Sequence, residues 1–181
     1  MRPKDWKERA KAIRLLLLDV DGVLTDGRIT YDGSGREWKS FDIRDGQGIR
    51  LLQRAGLEVG ILSGRRSAAV RARAKELGLR LLRQRVTDKA KALEEIMVQK
   101  NYQREHICFV GDDLVDLPVF VRVGLAVAAA DSVDEVKACA HYITRNPGGR
   151  GAVREVCDLI LKAQGKWAAA TREYRGHRGQ P

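Results

Sequence analysis

Four consecutive leucines, Leu15–Leu18, stand between charged stretches and are too few to cross a membrane, so they predict a central strand buried on both faces of a parallel sheet. Further short apolar runs recur at 57–62, 79–82, 107–110, 123–128 and 141–143. Between them lie helical stretches. One opens at Asp45-Gly46-Gln47-Gly48 and stops at Gly56, and one runs over 67–77 to Gly78. A charged one is capped by Thr87 or Asp88 and runs to Lys100, another covers 132–140, and the last covers 152–163, with Val153, Val156, Cys157, Ile160 and Leu161 on one face. Strand alternating with helix predicts an α/β fold, a doubly wound parallel sheet whose site lies beyond the carboxyl ends of its strands.

Two segments break the alternation. Residues 28–43 place Ile29, Thr30, Tyr31, Trp38, Phe41 and Ile43 around Asp32-Gly33-Ser34-Gly35, which predicts a β-hairpin inserted after the first strand. A lone hairpin is marginal in water, so its aromatic surface needs a partner, either its own domain or another subunit. Near the start, Trp6, Ala10 and Ile13 recur at helical spacing behind Asp5 and Glu8, a capping-box pattern, and predict a short docking helix.

A length of 181 residues suits one domain, taken as 1–164, followed by a basic tail, 165–181, whose only large apolar groups are Trp167 and Tyr174 and which is expected to be mobile. The formal charge of +10, from 34 basic and 24 acidic residues, favours anionic partners without naming one. The basic residues are scattered and carry no interleaved aromatic series, which argues against a nucleic-acid binder. Cys108, Cys139 and Cys157 are widely spaced within apolar segments and are expected as buried reduced thiols. His106, His141 and His177 share no zinc-ligand spacing. The charged first residues lack a signal-peptide core, so the expected location is the cytoplasm, without membrane attachment.

The chemistry concentrates at strand ends. Asp19 and Asp21 follow the leucine run two residues apart, so both carboxyl groups can reach one bound group while Gly22 turns the chain away. Asp19 suits a nucleophile that forms an aspartyl-phosphate, and Asp21 a group that protonates the leaving oxygen and then activates water. Two anions facing a phosphate require a cation, and oxygen-only ligands favour Mg²⁺. Ser63, with the amides of Gly64 and Arg65 ahead of a helix, suits phosphate oxygens. Lys89, in the first turn of a helix, is unfavourable for the helix dipole and is expected to meet an anion. Asp112, Asp113 and Asp116 at a further strand end need a counter-ion, although Asp116 can be a simple cap before Pro118. Arg150, in Gly148-Gly149-Arg150-Gly151, can bind substrate or pair with an acidic neighbour, and the glycines allow close approach of a ligand or another chain.

The ordered set DVDGVLTDG, Ser63-Gly64-Arg65, Lys89 and Gly111-Asp112-Asp113 resembles the haloacid dehalogenase-like phosphohydrolases. TDGRITYDGSGREWKSFDIRDGQGI, GDDLVDLPV and GGRGAVREVCDLIL narrow the resemblance to the branch that hydrolyses 3-deoxy-D-manno-octulosonate 8-phosphate in lipopolysaccharide precursor synthesis. It covers about residues 13–166. It implies that Asp112 binds Mg²⁺ together with the Asp19 carboxylate and the Asp21 main-chain oxygen, and that Asp113 supports them from outside. It also implies that Lys89 neutralises nucleophile and phosphoryl group, and that the hairpins meet at the centre of a homotetramer. A sugar-acid phosphate is the implied substrate, with Arg65 and Arg150 as candidates for its carboxylate. Another sugar-acid phosphate, such as a sialic acid 9-phosphate, is the alternative, and a non-catalytic oligomerisation module the more distant one. The chain has no room for the cap domain that most of the wider family inserts, and Arg85 stands where relatives usually carry glycine.

Overall fold

A computed structural model of the chain describes residues 5–175. Helix α1 (Trp6–Lys11) leads into strand β1 (Leu15–Leu18), and β2 (Thr30–Tyr31) and β3 (Glu37–Trp38) form the hairpin. Then follow α2 (Ile43–Arg54), β4 (Glu58–Leu62), α3 (Ala68–Glu76), β5 (Leu81–Arg83), α4 (Lys89–Lys100) and β6 (Ile107–Gly111). The chain continues through a short helix α5 (Leu117–Phe120), β7 (Leu125–Ala128), α6 (Asp134–Cys139), β8 (Tyr142–Ile143), α7 (Ala152–Ala163) and α8 (Trp167–Ala170).

Six strands make one parallel sheet in the order β5-β4-β1-β6-β7-β8, and β2-β3 stand apart as an antiparallel pair. The leucine run is the central strand, bonded to β4 and β6, and all four side chains are inaccessible to solvent. Successive strand side chains point to opposite faces. Leu16 and Leu18 pack with Ala10, Leu52, Ala74 and Ile160, which puts α1, α2, α3 and α7 on one face. Leu15 and Leu17 pack with Leu93, Ile96, Val119 and Val136, from α4, α5 and α6 on the other. Each leucine contributes about 2 kcal/mol by leaving water. This two-sided burial fixes the carboxyl end of β1, and Asp19 with it, at the middle of the sheet's upper edge. The doubly wound α/β arrangement is the one the sequence pattern predicts.

The differences have local causes. Helix α2 begins before Asp45, because Asp42 caps it by accepting from the Arg44 N–H at 2.7 Å. Asp45 is itself buried and accepts instead from the N–H groups of Gly151 (3.4 Å) and Arg154 (2.7 Å), so it caps α7 from a neighbouring helix. Asp88 is the cap of α4 and accepts from the Lys91 N–H. Cys108 and Cys157 are buried, but Cys139 is exposed at the end of α6, a correction to the expectation for all three.

The stretch after Gly165 also departs from expectation where it is described. Helix α8 packs Trp167 and Ala170 on the core, and Lys162 sits 4.9 Å over the Trp167 ring. Tyr174 Oη accepts from Gln47 Nε2 and Arg54 Nη1, both at 2.8 Å, and Glu173 pairs with Arg54. Two aromatic anchors in a basic sequence are enough to dock residues 167–174 on α2. The rest of the expected mobile tail, 176–181, lies outside the described residues. Among the described residues, no helix is long and apolar enough to cross a membrane.

Candidate active site

The loops that follow β1, β4, β5 and β6 surround a cleft of about 400 Å³ lined by Asp19, Asp21, Ser63, Gly64, Arg65, Thr87, Lys89, Asp112 and Asp113. Strand register brings them together. The Asp19 N–H donates to Val110 O (3.0 Å), Ser63 N–H donates to Arg83 O (2.9 Å), and Val86 N–H returns to Ser63 O (3.1 Å). Arg85, before Val86, has φ 59°, the left-handed region that glycine adopts without strain. The arginine therefore keeps a glycine-like backbone, and the loop delivers Lys89 to the cleft.

At the floor of the cleft, Lys89 Nζ lies 2.8 Å from Asp19 Oδ2 and 2.6 Å from Asp116 Oδ1. All three side chains are buried. Burial opposes the lysine's charge, but the two carboxylates outweigh it and hold its pKa above the usual value. Asp116 is more than the simple cap that its position before Pro118 suggests. Its second oxygen accepts the N–H groups of Asp112 (3.0 Å) and Asp113 (3.5 Å), so one buried carboxylate holds both the lysine and the loop that carries Asp112. Asp113 faces outward and accepts from the Leu114 N–H.

Asp19, Asp112 and Asp116 offer carboxylate oxygens that all lie within 4.8 Å of one another. Burial, with Asp116 adding to it and Lys89 opposing, raises the Asp19 pKa to about 6. Burial and the Asp19, Asp116 and Asp113 charges raise that of Asp112 to about 8. Asp112 Oδ1 is buried without a hydrogen-bond partner. An orphaned acceptor beside a second carboxylate fits a divalent cation, which would remove the cost of keeping both ionised. The oxygens of Asp116 are already occupied, which leaves Asp19 and Asp112 as the carboxylates free to hold a metal. A side chain at Gly22, whose φ is 82°, would overlap the Asp112 carboxylate. The glycine thus lets the loop after β1 close against the loop after β6. Gly148 approaches the Gly22 carbonyl in the same way, and Gly149 N–H donates to Val23 O at 2.9 Å. In this structure the Gly148-Gly149 pair packs on the chain's own Asp19 loop.

Asp21 is engaged differently. One oxygen bonds Lys39 Nζ, and the other lies 3.5 Å from Arg65 Nε. Arg65 also bonds Glu37 at 2.8 Å, so its guanidinium is committed to two carboxylates. Its N–H donates to Ser63 Oγ at 3.4 Å. Arg150 is the one named candidate that the fold keeps out of the cleft: it lines a separate cavity beside α7 with Arg44, Arg145 and Arg154. Sequence reasoning missed Lys39, Glu37 and the role of Asp116. Asp116 had a signal, four residues after Asp112 in a carboxylate-rich strand end; a lysine in a short hairpin carries none.

The arrangement pairs a buried carboxylate with a fixed cation, a metal-competent acceptor, a second acid within the same cleft and a hydroxyl at a strand end, a set suited to phosphoryl transfer. Residues 83–155 match the family model described as haloacid dehalogenase-like hydrolase. The chain is 49% identical over 167 residues to the 3-deoxy-D-manno-octulosonate 8-phosphate phosphatase of Yersinia pestis, covering 92% of this chain and 89% of that one. A crystal structure of the phosphatase of that name from Moraxella catarrhalis, in complex with magnesium ion, phosphate ion and KDO, superposes with a TM-score of 0.92 at 39% identity, covering 94% of this chain and 98% of that one. A probable phosphatase of the YrbI family from Pseudomonas syringae superposes with a TM-score of 0.93 at 46% identity over 98% and 99% of the two chains.

Proposed function

The chain belongs to the 3-deoxy-D-manno-octulosonate 8-phosphate phosphatases, a family of haloacid dehalogenase-like phosphoric monoester hydrolases, and we propose that it hydrolyses that ester through an aspartyl-phosphate on Asp19. The observation that carries this reading is the buried Asp19–Lys89 pair facing the unpartnered Asp112 oxygen. The cofactor is Mg²⁺. Asp19 and Asp112 would hold it, and when bound it offsets the negative charge of carboxylates and phosphate.

In the first half-reaction, which Asp21 enters in its acid form, an Asp19 oxygen attacks phosphorus, the bond from phosphorus to the sugar oxygen breaks, and Asp21 gives that oxygen its proton. In the second, Asp21 takes a proton from water, the water oxygen attacks phosphorus, and the bond to Asp19 breaks to release phosphate. Lys89 keeps its charge throughout, held on Asp19 by Asp116. Ser63 and the Gly64 amide line the same cleft and would meet the phosphoryl oxygens.

The reading includes a homotetramer assembled through the hairpin and a role in lipopolysaccharide precursor synthesis in the cytoplasm. The exposed faces of Tyr31 (60%) and Trp38 (61%) support the first, since a pair of two-residue strands leaves large apolar groups uncovered. A phosphate-release assay across sugar-acid phosphates tests the substrate. The highest kcat/KM is expected for 3-deoxy-D-manno-octulosonate 8-phosphate, with activity lost in chelator and restored by Mg²⁺; a higher kcat/KM for a sialic acid 9-phosphate would reassign it.

A further inference from the structure

The hairpin does more at the site than present an outer surface. Lys39 is a lysine whose side chain is only 1% exposed, and it bonds both Asp21 Oδ1 and Glu37 Oε1, the latter at 3.0 Å. Glu37 bonds Arg65 at 2.8 Å, and Arg65 returns to the other Asp21 oxygen at 3.5 Å. These four side chains form a closed ring of alternating charge, with two cations and two anions. It joins three segments: the loop after β1 supplies Asp21, the hairpin supplies Glu37 and Lys39, and the loop after β4 supplies Arg65.

A buried ammonium group is costly unless its partners are close and well oriented, so Lys39 stays here only because Asp21 and Glu37 both accept from it. One Asp21 oxygen is held by the buried Lys39, while Arg65 approaches the other at 3.5 Å, so the carboxyl group is oriented through its first oxygen and its second can carry a proton. Asp19 receives the same treatment from Lys89, which Asp116 in turn holds. Nucleophile and proton carrier thus each have a buried lysine, but the lysine on Asp21 comes from the inserted hairpin.

We propose that Lys39, seated by Glu37, is a positioning residue that orients the Asp21 carboxylate toward the leaving oxygen, so that the hairpin is a working part of the proton-transfer apparatus. The inference rests on the phosphatase reading given above. It separates two kinds of ester. Departure of a sugar alkoxide needs a proton from a well-placed acid, whereas p-nitrophenolate leaves unaided at neutral pH. Misplacing the acid therefore slows formation of the aspartyl-phosphate for the first ester and spares it for the second.

The test compares kcat/KM for 3-deoxy-D-manno-octulosonate 8-phosphate and for p-nitrophenyl phosphate in the parent, Lys39→Met, Lys39→Arg and the double variant Glu37→Gln/Lys39→Met. The double variant removes one charge of each sign, so it leaves no unpaired buried group if the single change fails to fold. Removal of Lys39 is expected to lower kcat/KM on the sugar phosphate by about 100-fold and on the aryl ester by less than about threefold, with partial recovery in Lys39→Arg. A structural role alone would lower both esters in proportion to the folded fraction, and that result, or an unchanged ratio between the two esters, overturns the proposal while leaving the phosphatase reading intact. A parent inert on both esters would overturn that reading, and this one with it.

Discussion

Asp116→Asn should uncouple Lys89 from the site without changing the volume of the core. The carboxylate is completely buried and serves donors on both sides: Lys89 Nζ at 2.6 Å and the Asp112 N–H at 3.0 Å. Asparagine offers one acceptor oxygen and one NH₂, so whichever way the amide turns, a donor faces a donor. The unsatisfied group costs about 1–3 kcal/mol, and losing a charge-assisted bond to the lysine costs about 1.5–3 kcal/mol. Relief of repulsion on Asp19 and Asp112, whose pKa values Asp116 raises, offsets part of this. A net loss of about 3 kcal/mol lowers the melting temperature by about 6–12 °C in a chain of this size. Because Lys89 would then have Asp19 as its one anionic partner, and either it or the Asp112 loop would lose its hydrogen-bond acceptor, kcat should fall about 100-fold. Calorimetry of the metal-free protein reads the first number, and phosphate release with saturating Mg²⁺ the second. A variant that melts within about 2 °C of the parent and turns over at its rate would refute the assignment of Asp116 as the support for Lys89.

Three further outcomes follow from the geometry. Asp19 and Asp112, raised to about 6 and about 8, keep bound protons that the unfolded chain has lost, so their contribution to stability is fully present at low pH and disappears as pH rises through those values. Metal-free protein should therefore lose stability between about pH 5 and 8 while its apparent Mg²⁺ affinity rises, with about one proton released per ion near pH 7 by calorimetry in buffers of different ionisation heat. A pH-independent Mg²⁺ affinity would contradict the paired ligands. Replacing Tyr31 and Trp38 with aspartate should dissociate the assembly in sedimentation and depress turnover of the sugar phosphate more than that of a small ester, and an active monomer with unchanged preference would count against the hairpin as the contact. Arg85→Gly should stabilise by about 0.5–1 kcal/mol in chemical denaturation, since the left-handed backbone strains arginine by about 1–2 kcal/mol and glycine returns part of that as entropy; a destabilised variant would mean that the arginine side chain holds the loop.

Much of this was legible because the signals are local. Four leucines can be only a doubly covered strand at this length, and Asp19 and Asp21 inherit their place from it. Lys89 was conspicuous because a cation in the first helical turn needs a reason, and the reason is two carboxylates. What escaped were contacts between segments distant in sequence. Asp45 looks like a helix start and is instead a cap for α7, more than 100 residues away in sequence. Lys39 lies in a hairpin whose alternation marks Tyr31 and Trp38, and nothing in its neighbours announces that its side chain turns inward to Asp21. Arg150 carries the right charge for a sugar acid, but its loop is drawn against the backbone of residues 22–25, and its guanidinium lines another cavity. Residues 167–174 look solvated by composition, yet Trp167 and Tyr174 suffice to dock them.

The aspartyl-phosphate proposed on Asp19 can be captured directly. Rapid acid quench of Asp21→Asn mixed with Mg²⁺ and p-nitrophenyl phosphate, whose leaving group departs without an acid, followed by mass spectrometry of the peptide that contains the loop after β1, reads it out. With hydrolysis of the intermediate slowed, one phosphoryl group is expected on Asp19, sensitive to hydroxylamine and absent from the Asp19→Asn/Asp21→Asn pair. Steady release of phosphate with no covalent phosphoryl group at any quench time would contradict the account.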